Sequence, residues 1–244
     1  MAQRFLAVLA VALALSQVAS AKSWLDKRFN TDGTVRTGYD ASGQQVVMLN
    51  LNQQSGAAGF NSKQQYLYGE FSIQMKLIPG NSAGTVSCFY LSSGDDEWRD
   101  EIDMEFMGNS SGHPVVLNTN VWANGDGKKE HQFDLWFDPA ADYHTYTIIW
   151  NPENILFKLL GDREGKIPIN WSNAPFVVSY RNYYANACVS GGACHAGSDR
   201  WMRKQLDGDE WGTVKWAERS YMRYNYCEDG YRFPQGLPAE CNRY

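Results

Sequence analysis

Residues 99–109 read R-D-E-I-D-M-E-F-M-G-N and place four carboxylates, Asp100, Glu101, Asp103 and Glu105, within six positions. The last three alternate with Ile102, Met104 and Phe106. Period two marks a β-strand with one polar and one apolar face, so Glu101, Asp103 and Glu105 are predicted to project together. Like charges on one strand face repel, so stability alone does not favour such a trio. Close carboxylates also raise the pKa of at least one member, which leaves a neutral acid beside an ionised one. Cleaving a glycosidic bond needs that pair, a proton donor and a nucleophile or base. The competing readings are a solvated acidic face and a Ca²⁺ site. Ca²⁺ is usually held by a loop with Gly and Asn or Asp at staggered positions, which an extended run does not supply. No metal or cofactor is therefore expected.

Further strand-like runs flank this one: 45–52, 66–78, 84–93, 115–123, 131–138, 143–150, 155–160 and 176–183. Turn clusters such as Pro79-Gly80-Asn81, Gly125-Asp126-Gly127 and Asn151-Pro152-Glu153-Asn154 separate them. Regularly spaced short strands with such punctuation predict an all-β, antiparallel β-sandwich. A curved sheet of that kind offers a long concave face on which an extended polymer can lie, provided the acidic strand is central. One helix is predicted, over about Asp209–Tyr224. On a strand, positions i and i+4 lie about 13 Å apart at Cα. Long Glu side chains on a twisted strand can lean together by several ångströms, so spacing alone permits either a retaining or an inverting pair. Asp103, between them, can hydrogen-bond whichever Glu is ionised.

The chain begins with a basic residue, Arg4, then an apolar run from Phe5 to Leu15 and a small-residue cleavage pattern at Ala19-Ser20-Ala21. This predicts a secretory signal peptide over residues 1–21. The remaining 223 residues (244 less 21) suit a β-sandwich domain over 22–183 and an extension over 184–244. The formal charge is −5 and there is no basic tract, which argues against a nucleic-acid partner. No second run is long and apolar enough to suggest a membrane span. Aromatic residues make up 14%, with 9 Trp and 14 Tyr, a composition that suits stacking on sugar rings but also large β-cores.

Of the five cysteines, Cys188, Cys194, Cys227 and Cys241 lie in the last quarter, and a secreted chain favours disulfides. Four cysteines allow three connectivities. Sequential pairing, 188 with 194 and 227 with 241, closes two short local loops and is the one expected. Cys88, within T-V-S-C-F-Y, is read as a buried free thiol. Two N-x-S/T sequons, at Asn109 and Asn170, are candidate glycan acceptors. His131 and His144 are expected to satisfy local hydrogen bonds rather than act in catalysis. Tyr68, Trp122, Trp136 and Trp150 are candidate sugar platforms, about half of which alternation must send to the core.

The run D-E-I-D-M-E-F-M-G-N-S-S-G strongly resembles the active-site strand of plant xyloglucan endotransglucosylase/hydrolases, a branch of the jelly-roll β-glucanases. Y-L-Y-G-E-F at 66–71, I-P-G-N-S-A-G-T-V at 78–86, L-W-F-D-P at 135–139, H-T-Y-T-I-I-W at 144–150, A-P-F-V-V-S-Y-R at 174–181 and Y-N-Y-C…R-F-P-Q-G-L-P-A-E-C at 224–241 resemble family segments too. The resemblance implies a concanavalin-like jelly roll with a short helical, disulfide-bonded C-terminal extension. It implies a retaining, endo-acting enzyme that cleaves and religates the β-1,4-glucan backbone of xyloglucan in the cell wall. Glu101 would be the nucleophile, Glu105 the acid/base and Asp103 the supporting carboxylate. Asn109 matches the family's glycosylated asparagine. Asn118, Thr119 and Asn120 match a substrate-contact triplet whose first member is more often Gln or His. Lys128, Lys129 and Glu130 align with a second triplet, usually Asn-Arg-Glu, and Tyr224 and Arg232 match acceptor-side positions. Partners would be a xyloglucan or related β-glucan and an oligosaccharide acceptor, with the protein a secreted, apoplastic monomer. One departure stands out. Between Leu160 and Ile169 the chain lacks a block that the family usually carries, including a Trp-rich strand lining the cleft. Its loss is expected to leave an unpaired sheet edge, so a catalytically weak or silent β-glucan-binding sandwich is the alternative reading.

Overall fold

The computed structural model describes residues 23–51, 56–110, 113–160, 176–192, 194 and 199–243. The elements are α1 (Trp24–Arg28), β1 (Phe29–Asp32), β2 (Val35–Tyr39), β3 (Gln45–Leu51), β4 (Gly59–Ser62), β5 (Tyr66–Lys76), β6 (Val86–Ser92) and β7 (Glu101–Met107). They continue with β8 (Val116–Trp122), β9 (His131–Asp134), β10 (His144–Trp150), β11 (Ile155–Leu160), β12 (Phe176–Val189), α2 (Gly208–Tyr221) and β13 (Met222–Asn225). The strands form a six-stranded sheet in the order β11-β10-β5-β12-β3-β2, a five-stranded sheet in the order β13-β9-β8-β7-β6, and a small β1-β4 pair. Pairing is antiparallel throughout. This is the expected antiparallel sandwich.

Its core lies between the two large sheets. The six-stranded sheet contributes Val47, Ile73, Met75, Tyr146, Ile148, Val178 and Tyr180; β7 contributes Ile102, Met104 and Phe106, and β8 contributes Leu117. Met104 and Phe106 are 0% and 1% exposed, and Phe106 meets the Tyr146 ring of the opposite sheet edge-on at 4.7 Å. Each such side chain contributes about 1.5–3 kcal/mol by leaving water. A slip of one residue would turn all three apolar groups out and three carboxylates in, so packing fixes the register of β7 strongly. The acids take the opposite face because the core takes this one.

The structure differs from the sequence reading at several ends. β9 stops at Asp134 rather than 138, because both Leu135 and Phe137 enter the core while Trp136 turns against Trp216 and Tyr221. β12 runs on to Val189, past a register shift between Arg181 and Tyr184 where Asn182 takes a left-handed conformation (φ 52°). β1, β2, β4 and α1 are too short and too polar to announce themselves in the sequence. The predicted helix is real, with an Asp207–Glu210 capping box, but ends at Tyr221 rather than 224. Residues 222–225 instead add a strand to the edge of β9.

The segment after β12 therefore does more than pack. Trp201, in a short 3-10 turn, is buried with Ile149 and Cys188, and Asn151 Nδ2 donates to its carbonyl at 3.0 Å. Trp216 of α2 meets Trp136 at 5.4 Å, and β13 widens the acid-bearing sheet by one strand. Cys188 is joined to Cys194 and Cys227 to Cys241, and Cys88 is free. Trp211 stands on α2 and is 39% exposed. Residues 1–21, the Asn170 sequon and the departure after Leu160 lie outside the described residues. Among the described residues, β11 pairs on one side only, with β10.

Candidate active site

β7 is hydrogen-bonded on both sides, by β6 and β8, so the acids stand inside the sheet rather than at its edge. Cross-strand registers define three rows on the face opposite the core. Ser92, Glu101 and Trp122 form one row, and Tyr90, Asp103 and Asn120 the next. The third runs Cys88, Glu105, Asn118, Gln132 and Tyr224, across all five strands. Directly opposed residues share a face, so Glu101, Asp103 and Glu105 point the same way, with polar and aromatic neighbours on either side.

Each acid has a distinct partner. Glu101 Oε2 accepts from Arg99 Nε at 3.1 Å, and the Arg99 guanidinium lies 4.6 Å from the centre of the Trp122 ring. Glu105 Oε2 accepts from Asn118 Nδ2 at 2.7 Å. Asp103 is 5% exposed. Burial, then the charges of Glu101 and Glu105, push its carboxyl up to about 7; a hydrogen bond with Glu101 adds to this and one from Trp122 opposes it. At mildly acid pH Asp103 is thus neutral, and its O–H donates to the Glu101 carboxylate. The trio carries less mutual repulsion than three anions would, and the proton sits on the central residue. The same field acts on β6: burial and then Glu105 push the Cys88 thiol up to about 12, so it is no thiolate nucleophile.

The other predicted site residues divide. Asn118 and Asn120 are buried on the acid face, but Thr119, between them, opposes Met104 and His131 and belongs to the other face. Asn120 Oδ1 accepts from the backbone N–H of Lys129 at 3.0 Å, which ties down the 123–130 segment. Lys128 takes a left-handed conformation (φ 66°) and pairs with Asp126 at 3.0 Å at the surface. Lys129 Nζ reaches Glu240 at 3.1 Å. Glu130 receives both terminal nitrogens of Arg232, at 2.7 and 3.0 Å, and Arg232 also donates to the Tyr224 hydroxyl at 3.2 Å. Tyr224 in turn donates to Asp229 at 2.8 Å. Glu130, Tyr224 and Arg232 thus form one network joining the C-terminal segment to the acid-bearing sheet.

Of the candidate platforms, Trp122 alone lies beside the acids. Trp150 and Tyr68 pack together at 4.8 Å on the other sheet, and Trp136 is held by Phe137 and Trp216. His131 Nε2 meets Asn225 Oδ1 at 3.2 Å, and His144 Nε2 meets the Asp138 carbonyl at 3.1 Å, so both satisfy local bonds. Among the described residues no cluster of His, Cys, Asp and Glu is arranged to hold a metal. Sequence reasoning missed Arg99. Its signal was available: it stands two residues before Glu101 and so has the parity of the acids.

The face thus presents two outer carboxylates with different partners and a raised-pKa acid between them, the kind of carboxylate set that glycosidic bond cleavage requires. The family profile described as glycosyl hydrolases family 16 matches residues 26–164, and that of the xyloglucan endo-transglycosylase C-terminus matches 196–241. The chain is 50% identical to xyloglucan endotransglycosylase/hydrolase protein 8 of Oryza sativa subsp. japonica over 290 aligned positions, with 100% of each covered. It is 42% identical to xyloglucan endotransglucosylase/hydrolase protein 22 of Arabidopsis thaliana, covering 90% of this chain and 93% of that one. A solved Bacillus licheniformis β-glucanase is 22% identical, over 78% of this chain and 88% of its own, with a TM-score of 0.46. The chain belongs to glycosyl hydrolase family 16, in its xyloglucan endotransglucosylase/hydrolase branch. The rice alignment spans 290 positions against 244 residues here, so 46 positions have no counterpart in this chain.

Proposed function

We propose that this protein is a retaining, endo-acting transglycosylase/hydrolase that cuts and rejoins the β-1,4-glucan backbone of xyloglucan. The observation that supports it is the shared face of Glu101, Asp103 and Glu105, with the core packed on the other side of β7. In the first step the Glu101 carboxylate attacks the anomeric carbon, the glycosidic C–O bond breaks, and Glu105 protonates the departing oxygen. A glycosyl ester on Glu101 results. In the second step the Glu105 carboxylate takes the proton of an incoming hydroxyl, which displaces Glu101 from the anomeric carbon. An oligosaccharide hydroxyl completes transfer; water completes hydrolysis. Asn118 donates to Glu105 in the ionised form needed for that second step. Asp103, neutral at mildly acid pH, holds Glu101 without adding a charge.

The substrate would lie along the rows of the acid face, with Asn118, Asn120, Lys128, Lys129, Glu130, Tyr224 and Arg232 toward the polymer or the acceptor. Thr119 would act only through the strand. Secretion to the cell wall as a monomeric glycoprotein modified at Asn109 completes the reading. It draws on the leader-like residues 1–21 and on the position of Asn109, just beyond the end of β7. The decisive experiment incubates the protein with xyloglucan and a fluorescent xyloglucan oligosaccharide. Label should move into high-molecular-weight polymer, and the newly formed linkage should keep the β configuration by proton NMR. Absence of both label transfer and polymer shortening would overturn the proposal. A parallel chain with the block absent after Leu160 restored, compared for yield and transfer rate, measures what that absence costs.

A further inference from the structure

We propose that Arg99 is a positioning residue for the nucleophile, clamped between Glu101 and the Trp122 ring so that the carboxylate is aimed along the cleft. This goes beyond the transglycosylase reading and rests on Glu101 being the nucleophile. Three observations carry it. First, the contact is a charged hydrogen bond, Nε to Oε2 at 3.1 Å, between side chains only 28% and 16% exposed. A bond through Nε fixes the plane of the guanidinium as well as its charge.

Second, the clamp is built from behind. Trp122 opposes Glu101 across β7 and β8, and the guanidinium stacks on its ring at 4.6 Å. Gly127 supports the indole from another direction: a Cβ there would lie 2.8 Å from Trp122 Cε2, closer than any side chain allows. The order Gly127, Trp122, Arg99, Glu101 therefore runs from backbone to carboxylate with each member in contact with the next. Stacking on an aromatic face restricts the Arg side chain before any substrate arrives.

Third, the residues that β6 and β8 set beside the acids supply no positive charge. Asp103 and Glu105 share its strand, and Tyr90 and Cys88 face it from β6. Each of these four becomes negative on ionising. From β8 come Asn118, Asn120 and Trp122, none of them titratable in this range. Arg99 is the cation that the structure sets against this face. A guanidinium cannot lose its proton, so its side of the contact stays charged at every working pH.

The test compares wild type, Arg99→Ala and Arg99→Lys in xyloglucan transfer across pH 4–8, with thermal melts to establish folding. Arg99→Ala should lower kcat/KM by about 10- to 100-fold through kcat, with KM nearly unchanged, because misplacement of a reacting group by about 1 Å costs that much. Added guanidinium ion should restore part of the rate. Arg99→Lys should keep the charge and recover part of the loss without the Nε geometry. A folded Arg99→Ala with wild-type kcat and no response to guanidinium overturns the inference while leaving the reading of the enzyme intact. A folded wild type without transfer or hydrolysis overturns both.

Discussion

Glu101 and Glu105 share one strand, one face and one residue type, yet the sheet surrounds them differently. At the Glu101 end a guanidinium on an indole supports a carboxylate that also accepts a hydrogen bond from Asp103. At the Glu105 end a neutral amide donates one hydrogen bond, and a thiol that stays protonated lies on the other side. The first setting puts a full positive charge beside its carboxylate and the second only an amide dipole, which stabilises charge far less than a cation does. Under the proposed mechanism, neighbours on β6 and β8 and the residue two places before Glu101 would fit two identical side chains to different steps, nucleophilic attack and proton transfer.

The hardest way to break this contrast is to remove the acids. Glu101→Ala should abolish transfer and hydrolysis alike, with a loss of about 1000-fold or more, while polymer binding in affinity electrophoresis persists. Glu105→Gln should cost about 100- to 10,000-fold with xyloglucan, the range of general acid–base catalysis. The loss should shrink for an aryl glycoside whose leaving group needs no proton, measured as release of the phenol. If Glu105→Gln is equally slow on both substrates, the two ends do not differ as described.

Asn118→Ala sharpens the contrast from the other side. Loss of one hydrogen bond to a charged group, worth about 1.5–3 kcal/mol, should slow turnover of the glycosyl-enzyme by about 10- to 100-fold. Trapped intermediate should accumulate, visible by mass spectrometry of the intact protein. Formation of the intermediate should change less.

The smallest effect is on stability. Burial and the neighbouring carboxylates push the folded Asp103 carboxyl up to about 7 from the ordinary 3.8, so between these values the native chain holds a proton that the unfolded chain has lost. Stability from this group is complete below the lower value and is lost as pH rises through the upper one. Asp103→Asn should flatten that fall. Its melting temperature relative to wild type should rise by about 2–4 °C between pH 5 and pH 8 for each kcal/mol removed, by calorimetry.

Legibility followed the range of the forces involved. The acid face of β7 was open to reading because alternation is local: Ile102, Met104 and Phe106 define the core side without help from any other segment. The two cystines followed from loop length, and the bounds of β10 and β11 nearly matched their apolar runs. Tyr224 was different. Its pattern reads as the last turn of α2, but Met222 leaves the helix and pairs with Phe133, and Tyr224 then falls opposite Gln132 in the row of Glu105. Helical periodicity at 209–221 is a short-range property; the strand beyond it exists because an open edge of β9 offered hydrogen bonds. Thr119 shows the converse. Its place in a matched triplet suggested a substrate contact, whereas the pleat sends it to the face of Met104.

Sequence alone determined that three carboxylates would stand together on a strand, because side chains alternate whatever the strand packs against. Only the tertiary structure decided which residues would face them. Arg99, Trp122, Asn118 and Tyr224 reach the acid face through cross-strand register and an edge pairing with the C-terminal segment. Such pairings join residues far apart in the chain, and no local periodicity encodes them.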